Sequence, residues 1–435
     1  MTERRHPCKR PDFSPVFSET ALIHTKDTYA PSWQQRLPLN TGTTKDMNKH
    51  WKYAAIPDKK WLDWRWQLEN RLTGNCAITD YFPNIAERSL KEFSSYAARF
   101  NIAITPYTLS LIGLDKKLNP LETDPVWRQF KFLSQAELRG DGAYDGVHAN
   151  WELTKEMPTP ILHHKYPGRA LLRVVNSCHG YCSYCYLTKR TLDVSKKWRF
   201  AASPAVWERS LRYLRANPEI SDVLISGGDP LLLPNDALEK ILSDVTAVSS
   251  VKTIRINTRA LTFNPFRVDP GLAKILKKYR VTVLEIHLAH PNEITPEFDS
   301  ALEVLDKGGH RPLILWRSPL LRGINDSVAT LRELLLMLYA RRIVPYYLFH
   351  SAPYSLGREY YGTSVKRGIT LMKELRRVIP GPSFPRYTLF HPTGKQDIPL
   401  EAGGTPEFRF CHDASGKPAV KFRNWRGQTV VYPDR

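Results

Sequence analysis

The chain has 435 residues, 42% hydrophobic and 24% charged, and its 63 basic and 43 acidic side chains leave a net charge of +20. This composition supports a large core, in one big domain with additions or in two to three smaller ones. It excludes a membrane-spanning helix, for want of 18 consecutive apolar residues, and the N-terminus lacks the apolar centre of a secretory signal, so a cytoplasmic location is expected. Residues 1–50 are polar and proline-containing and read as a flexible arm. In WLDWRWQLENRL (61–72), Trp61, Trp64, Leu68 and Leu72 recur at helical spacing, which predicts one helix with its apolar face in the core. Residues 51–165 read as an N-terminal helical region, broken at Pro106.

From residue 166 to 380, strand-like runs alternate with amphipathic helices. The predicted strands are 170–176, 222–228, 253–258, 281–288, 312–317 and 344–350, and the helices 203–216, 235–245, 270–279, 295–308, 328–340 and 364–378. Ser203 before Pro204 and Thr295 before Pro296 are helix starts. Gly308 and Gly309 are a stop. Six βα units imply an α/β fold with a parallel sheet, either doubly wound or curved into an incomplete barrel. Either way the site lies at the carboxyl ends of the strands. Basic residues are scattered in pairs such as Lys59–Lys60, without aromatic interleaving. A solvated basic surface is therefore expected, and a nucleic-acid partner is not.

SCHGYCSYCYLTKR (177–190) follows the first strand and crowds Cys178, Cys182 and Cys185 into one loop, half of all the cysteines. Zinc or a four-cysteine cluster would need a fourth ligand. Cys8, Cys76 and Cys411 are isolated, which leaves His179 and His287 as substitutes. The alternative is a [4Fe–4S] cluster held at three irons, its fourth open to a small molecule. The C-x3-C-x2-C spacing, with Tyr184 before the third cysteine, resembles the signature of radical S-adenosylmethionine enzymes. That resemblance implies a cluster on the three cysteines and S-adenosylmethionine on the open iron. SGGDP after the second strand resembles the superfamily's glycine-rich stretch, so Ser226, Gly227, Gly228 and Asp229 are expected, with Tyr184, to bind that cofactor.

A closer resemblance is to the lysine 2,3-aminomutase family. It is carried by WLDWRWQLENRL, ITPYTLSLI, HHKYPGRALL, VLISGGDPLLL, HPNEIT, LLRGIND, PYYLF, TGK and FRNWRGQTVVYP, in order from about residue 51 to 434. It implies a partial (β/α)6 barrel, with a C-terminal segment (381–435) closing the site. It also implies an aminomutase that moves an α-amino group to the β-carbon with a [4Fe–4S] cluster, S-adenosylmethionine and pyridoxal phosphate. An external electron donor such as flavodoxin or ferredoxin would serve it, and a homo-oligomer is compatible with it. By resemblance, Lys395 in HPTGKQDIP carries pyridoxal phosphate, with Gly394 allowing close approach. Lys165 and Arg169 hold the phosphate, and His287 stands near the nucleoside.

The pattern departs at the amino-acid pocket. Leu187 stands where the family has an arginine for the substrate carboxylate, leaving Lys189 or Arg190 to reach instead. FHSAPYSLG and TLFHPTGK lack the acids that hold a substrate ammonium. Arg317 replaces a glutamine among the cofactor-binding residues and could also serve an acidic substrate. Lysine is the family default, but His350, Tyr354, Phe390 and His391 suit an uncharged or aromatic side chain. The family's C-terminal cysteine cluster is missing, so no extra zinc is expected. The competing readings are a radical elimination or an RNA- or protein-modifying step on the same scaffold, and a non-enzymatic zinc or cluster module.

Overall fold

Each run read as a strand is a strand in the computed structural model, and each predicted helix a helix, within two residues of the expected ends. The structure describes residues 49–139, 152–196, 199–200, 202–352, 355–401, 405 and 407–434, so the expected arm and Tyr354 lie largely or wholly outside it. All the described residues belong to one unit. One sheet contains β1 (Leu162–Tyr166), β2 (Arg169–Val175), β3 (Asp222–Gly227), β4 (Thr253–Thr258), β5 (Val283–His287), β6 (Leu313–Pro319), β7 (Val344–Phe349), β8 (Arg386–His391) and β9 (Gly394–Asp397). Strands β2 to β8 are parallel, with antiparallel β1 and β9 at the two edges.

The strands lie in strict chain order. A doubly wound sheet reverses its order at a switch point, whereas crossovers of one hand in unbroken order curl a sheet into a barrel. The curved, incomplete barrel is therefore the outcome. Helices α1 (Pro204–Ala216), α2 (Asn235–Thr246), α3 (Pro270–Lys278), α4 (Pro296–Lys307), α5 (Val328–Ala340) and α6 (Val365–Arg376) follow β2 to β7 in turn. Each gives the core a leucine no more than 1% exposed: Leu211, Leu242, Leu276, Leu305, Leu338 and Leu375. Burying one such side chain stabilises the fold by about 1.5–3 kcal/mol. The strand period of two does the rest. In β4, Ile254 and Ile256 are buried in this core, while Arg255 and Asn257 line cavities.

The helical N-terminal region needs correction. WLDWRWQLENRL is two short helices, Asp58–Trp61 and Trp64–Glu69, followed by the two-residue strand Leu72–Thr73. Asp63 ends the first and caps the second, its carboxylate accepting from Arg65 N at 2.8 Å. Trp61, Trp64 and Leu72 are buried as expected, but Leu68 is only half-buried. Pro106 starts a helix, Pro106–Ser110, instead of breaking one, because Thr105 caps it. The region clamps the cysteine loop: Arg71 donates to Cys178 O at 2.9 Å, Tyr181 N to Ala103 O at 3.0 Å, and Ser183 N to Gln129 O at 2.9 Å.

The C-terminal segment is not separate from the barrel. It supplies β8 and β9 and a further antiparallel sheet, β10 (Phe408–His412), β11 (Pro418–Arg423) and β12 (Thr429–Pro433). The turn between β11 and β12 lies on the barrel edge, with Trp425 Nε1 donating to Thr393 O at 3.2 Å and Arg426 paired to Glu156 at 3.0 Å.

Candidate active site

The loop after β2 and the loops after β3, β4 and β5 meet over one cavity, lined by Cys178, Cys182, Cys185, Tyr184, Gly227, Gly228, Asp229 and His287. Burial pushes all three thiols up, Cys185 to about 11, and each is raised further by at least one acidic neighbour, another of the three thiols for Cys178 and Cys185. A bound metal would draw such thiols into the thiolate form, and the guanidinium beside Cys182 favours the same form there, so the donor set fits an iron–sulfur cluster. Among the described residues no three His, Cys, Asp or Glu side chains come close enough to share a single ion.

The two glycines of the glycine-rich stretch also have a packing reason. A Cβ on Gly227 would lie 2.2 Å from Val175 O, and one on Gly228 2.1 Å from Ser177 O. The two glycines let β3 press against the backbone that leads into the cysteine loop, where Gly228 N donates to Val175 O at 2.6 Å. Asp229 is fully engaged: it accepts from Leu231 N at 3.0 Å, Thr258 Oγ1 at 2.7 Å and Arg259 N at 2.8 Å. Ser226 is buried at 2% exposure and is not among the cavity-lining residues.

Arg259, at the carboxyl end of β4, is a site residue that the sequence reading missed. It donates to Cys182 Sγ at 2.6 Å, to Tyr184 Oη at 2.8 Å, to Glu293 at 2.7 Å and to Gln129 Oε1. Glu293, in HPNEIT, also accepts from Ala289 N and His290 N, so it is a fixed anchor. The rule that sites gather at strand ends could have found Arg259; nothing in the local sequence marks Gln129. His287 is held neutral, well below its ordinary value, by burial and by Arg259 and Arg317.

A second cavity opens behind the first, and Tyr186, Arg317, Phe390 and Lys395 line both. Lys165, Arg169, Arg173 and Arg255 also line the second, with no acidic side chain among its described lining residues. Arg173 is already paired with Glu152 at 2.7 Å and Arg255 with Asp222 at 2.6 Å, so among these four Arg169 is the cation without an ion pair among the described residues and the one best placed to meet a phosphate dianion. Lys165 is not free, since its ammonium meets Glu156 at 2.9 Å and donates to Pro392 O. Arg169 stacks on Tyr166 at 4.1 Å.

Lys395 sits on β9, its ammonium nitrogen 4.5 Å from the ring centre of Tyr347 and 5.3 Å from that of Phe349. Burial, and then the Arg317 guanidinium, lower it to about 7, against the opposing pull of Glu285. It is therefore available as a neutral amine, the form that condenses with an aldehyde. Gly394 beside it has φ +138°, and a Cβ there would meet Trp425 at 2.9 Å and the Tyr166 hydroxyl at 3.0 Å. Its freedom thus serves packing within the protein, at a position that also lines the second cavity.

Of the pocket candidates, His350 lines the first cavity, His391 the second and Phe390 both. His350 is neutral, pushed down to about 3 by burial, and its Nδ1 lies 2.8 Å from Tyr387 Oη. Leu187 lines the first cavity, but Lys189 and Arg190 line neither, and Arg190 is paired with Glu152.

Residues 172–328 match the family model of the radical SAM superfamily. The L-lysine 2,3-aminomutase of Fusobacterium nucleatum is 32% identical over 383 residues, covering 88% of this chain and 84% of that protein. That of Clostridium subterminale is 31% identical, with coverage of 88% and 86%. The glutamate 2,3-aminomutase of Clostridioides difficile is 30% identical over 407 residues, with coverage of 92% and 91%.

Proposed function

Because the chain belongs to the lysine 2,3-aminomutase family of the radical SAM superfamily, and is an aminomutase, we propose that its substrate is an α-amino acid with an uncharged side chain. The observation that carries this is the first cavity. Its lining from Arg317 to Lys395 includes Pro319, Leu321, Phe349, Ala352 and Phe390 beside the uncharged polar residues Ser318, His350, Ser351 and Ser355, and the one carboxylate among its described lining residues, Asp229, already accepts from three protein donors. A substrate ammonium would stay unpaired there, at a cost of several kcal/mol.

When bound, the cluster with S-adenosylmethionine supplies a hydrogen-abstracting radical, and pyridoxal phosphate supplies a π-system for the migrating nitrogen. The protein's part is positional. Cys178, Cys182 and Cys185 are assigned to the cluster. Tyr184, His287 and the backbone of Gly227 and Gly228 line the space beside it. Lys395 offers its neutral amine between the two cavities, and Lys165 and Arg169 supply charge for the phosphate. Lys165 would turn from Glu156 to meet the phosphate, and Glu156 would keep His163 and Arg426 as partners, at 3.0 Å each in this structure. The N-terminal region holds the cysteine loop and the β11–β12 turn holds the barrel edge, which would help keep water from a radical reaction. An external one-electron donor such as a flavodoxin or ferredoxin completes the scheme.

The test is turnover of each of the nineteen L-α-amino acids that have a β-carbon by anaerobically reconstituted protein, with β-amino isomers read by mass spectrometry. An aliphatic or aromatic amino acid is expected to react fastest. Lysine or glutamate reacting fastest would overturn the assignment.

A further inference from the structure

Every α-amino acid brings a carboxylate into the cavity, and a buried carboxylate needs a cation with free donors. We propose that Arg317 binds the substrate's α-carboxylate, an assignment that rests on the aminomutase reading above. Three cationic side chains line the first cavity among the described residues: Arg259, Arg317 and Lys395. Arg259 is committed to Cys182, Tyr184, Gln129 and Glu293. Lys395 is assigned to the cofactor. Arg317 has donors to spare. Its Nη1 pairs with Glu285 at 2.7 Å, while Nε and Nη2 have no partner among the described residues.

Its position matches the substrate's geometry. On β6, Arg317 stands in register between His287 of β5 and Tyr347 of β7, and the Tyr347 ring is the one that carries the Lys395 ammonium at 4.5 Å. The carboxylate carbon of an amino acid is two bonds from its nitrogen, so its partner must stand beside the group that handles that nitrogen. Arg317 and Lys395 share the wall between the cavities. Glu285, 2% exposed and also paired with Arg255, fixes one edge of the guanidinium and leaves the other turned to ligand. A planar fork held this way loses little freedom when a carboxylate docks. Leu187, on the same cavity, offers no charge.

The test uses protein loaded with cluster and pyridoxal phosphate, and reads ligand binding from the pyridoxal absorbance. The probes are L-phenylalanine with phenethylamine, L-leucine with isoamylamine, and L-lysine with cadaverine, pairs that differ by the carboxylate alone. Arg317→Gln should weaken whichever amino acid binds by about 10- to 100-fold, leave its decarboxylated partner within about twofold, and leave S-adenosylmethionine affinity unchanged. Leu187→Arg added to Arg317→Gln should restore part of the loss. Should Arg317→Gln not take up pyridoxal phosphate, Arg317→Lys carries the same acid-against-amine comparison, with a smaller loss. Equal weakening of acid and amine, no weakening of either, or a selective loss of S-adenosylmethionine affinity overturns the assignment. Tightest binding by lysine would sink the uncharged-side-chain reading while leaving the Arg317 comparison intact.

Discussion

The hydroxyl of Tyr166 accepts the backbone N–H of Lys395 at 2.9 Å, and so joins the two edge strands of an open barrel, β1 and β9. The Tyr166 ring is itself packed between Arg169 and Trp425. Tyr166→Phe removes one neutral hydrogen bond, worth about 1 kcal/mol, at the backbone of the lysine proposed to carry pyridoxal phosphate. Pyridoxal phosphate retention after dialysis should fall about fivefold, with iron and sulfide content unchanged.

The chemistry of Lys395 sets a pH dependence. Its amine is protonated below about 7 and neutral above, so covalent loading of pyridoxal phosphate should rise with pH through a midpoint near 7. Arg317→Gln removes a like charge that disfavours the ammonium, and so moves that midpoint upward. Lys395→Ala should abolish borohydride-trappable attachment and leave the iron–sulfur spectrum intact. Loading that is flat from pH 6 to 9 would contradict the assignment.

Arg259 and Glu293 are buried partners at 2.7 Å. Arg259→Met leaves Glu293 without its charge partner at 1% exposure, and should cost about 3 kcal/mol in urea unfolding of the unloaded protein. Adding Glu293→Gln should recover part of that loss, because the remaining donors then face a neutral amide. In the loaded protein, loss of a cation beside Cys182 should lower the cluster's reduction potential.

Gly228→Ala places a methyl group 2.1 Å from Ser177 O, and backbone on both sides must move. Cluster assembly on the neighbouring cysteines should fail, read as iron content below one atom per chain. Gly381→Ala is the control, since a Cβ there meets nothing within 4 Å. It should change stability by no more than about 0.5 kcal/mol.

The barrel was legible because its elements follow local rules. Strands such as TIRINT alternate with period two, and each helix carries its core leucine at helical spacing. The cysteine loop was legible for a similar reason, since its three cysteines lie within eight residues of one another. What could not be read depends on long-range contact. Arg259 and Gln129 meet across 130 positions, and no window of sequence holds both. The tryptophan stripe at 61–72 had the right residues in the core, but its helical period hid the Asp63 cap that splits it. Gly394 and the Gly227–Gly228 pair also pack closely against Trp425, Tyr166 and the backbone of Val175 and Ser177, neighbours that only the folded chain supplies.

The central claim is that the three-cysteine loop and Lys395 serve one reaction in adjoining cavities. The most direct measurement supplies a mixture of perdeuterated L-amino acids to reduced, fully loaded protein and follows deuterium into the 5′-carbon of S-adenosylmethionine. Incorporation in the native protein, lost in both Cys182→Ala and Lys395→Ala, is the result this account predicts. Incorporation that persists in Lys395→Ala, or none in native protein with a complete cluster, would contradict it.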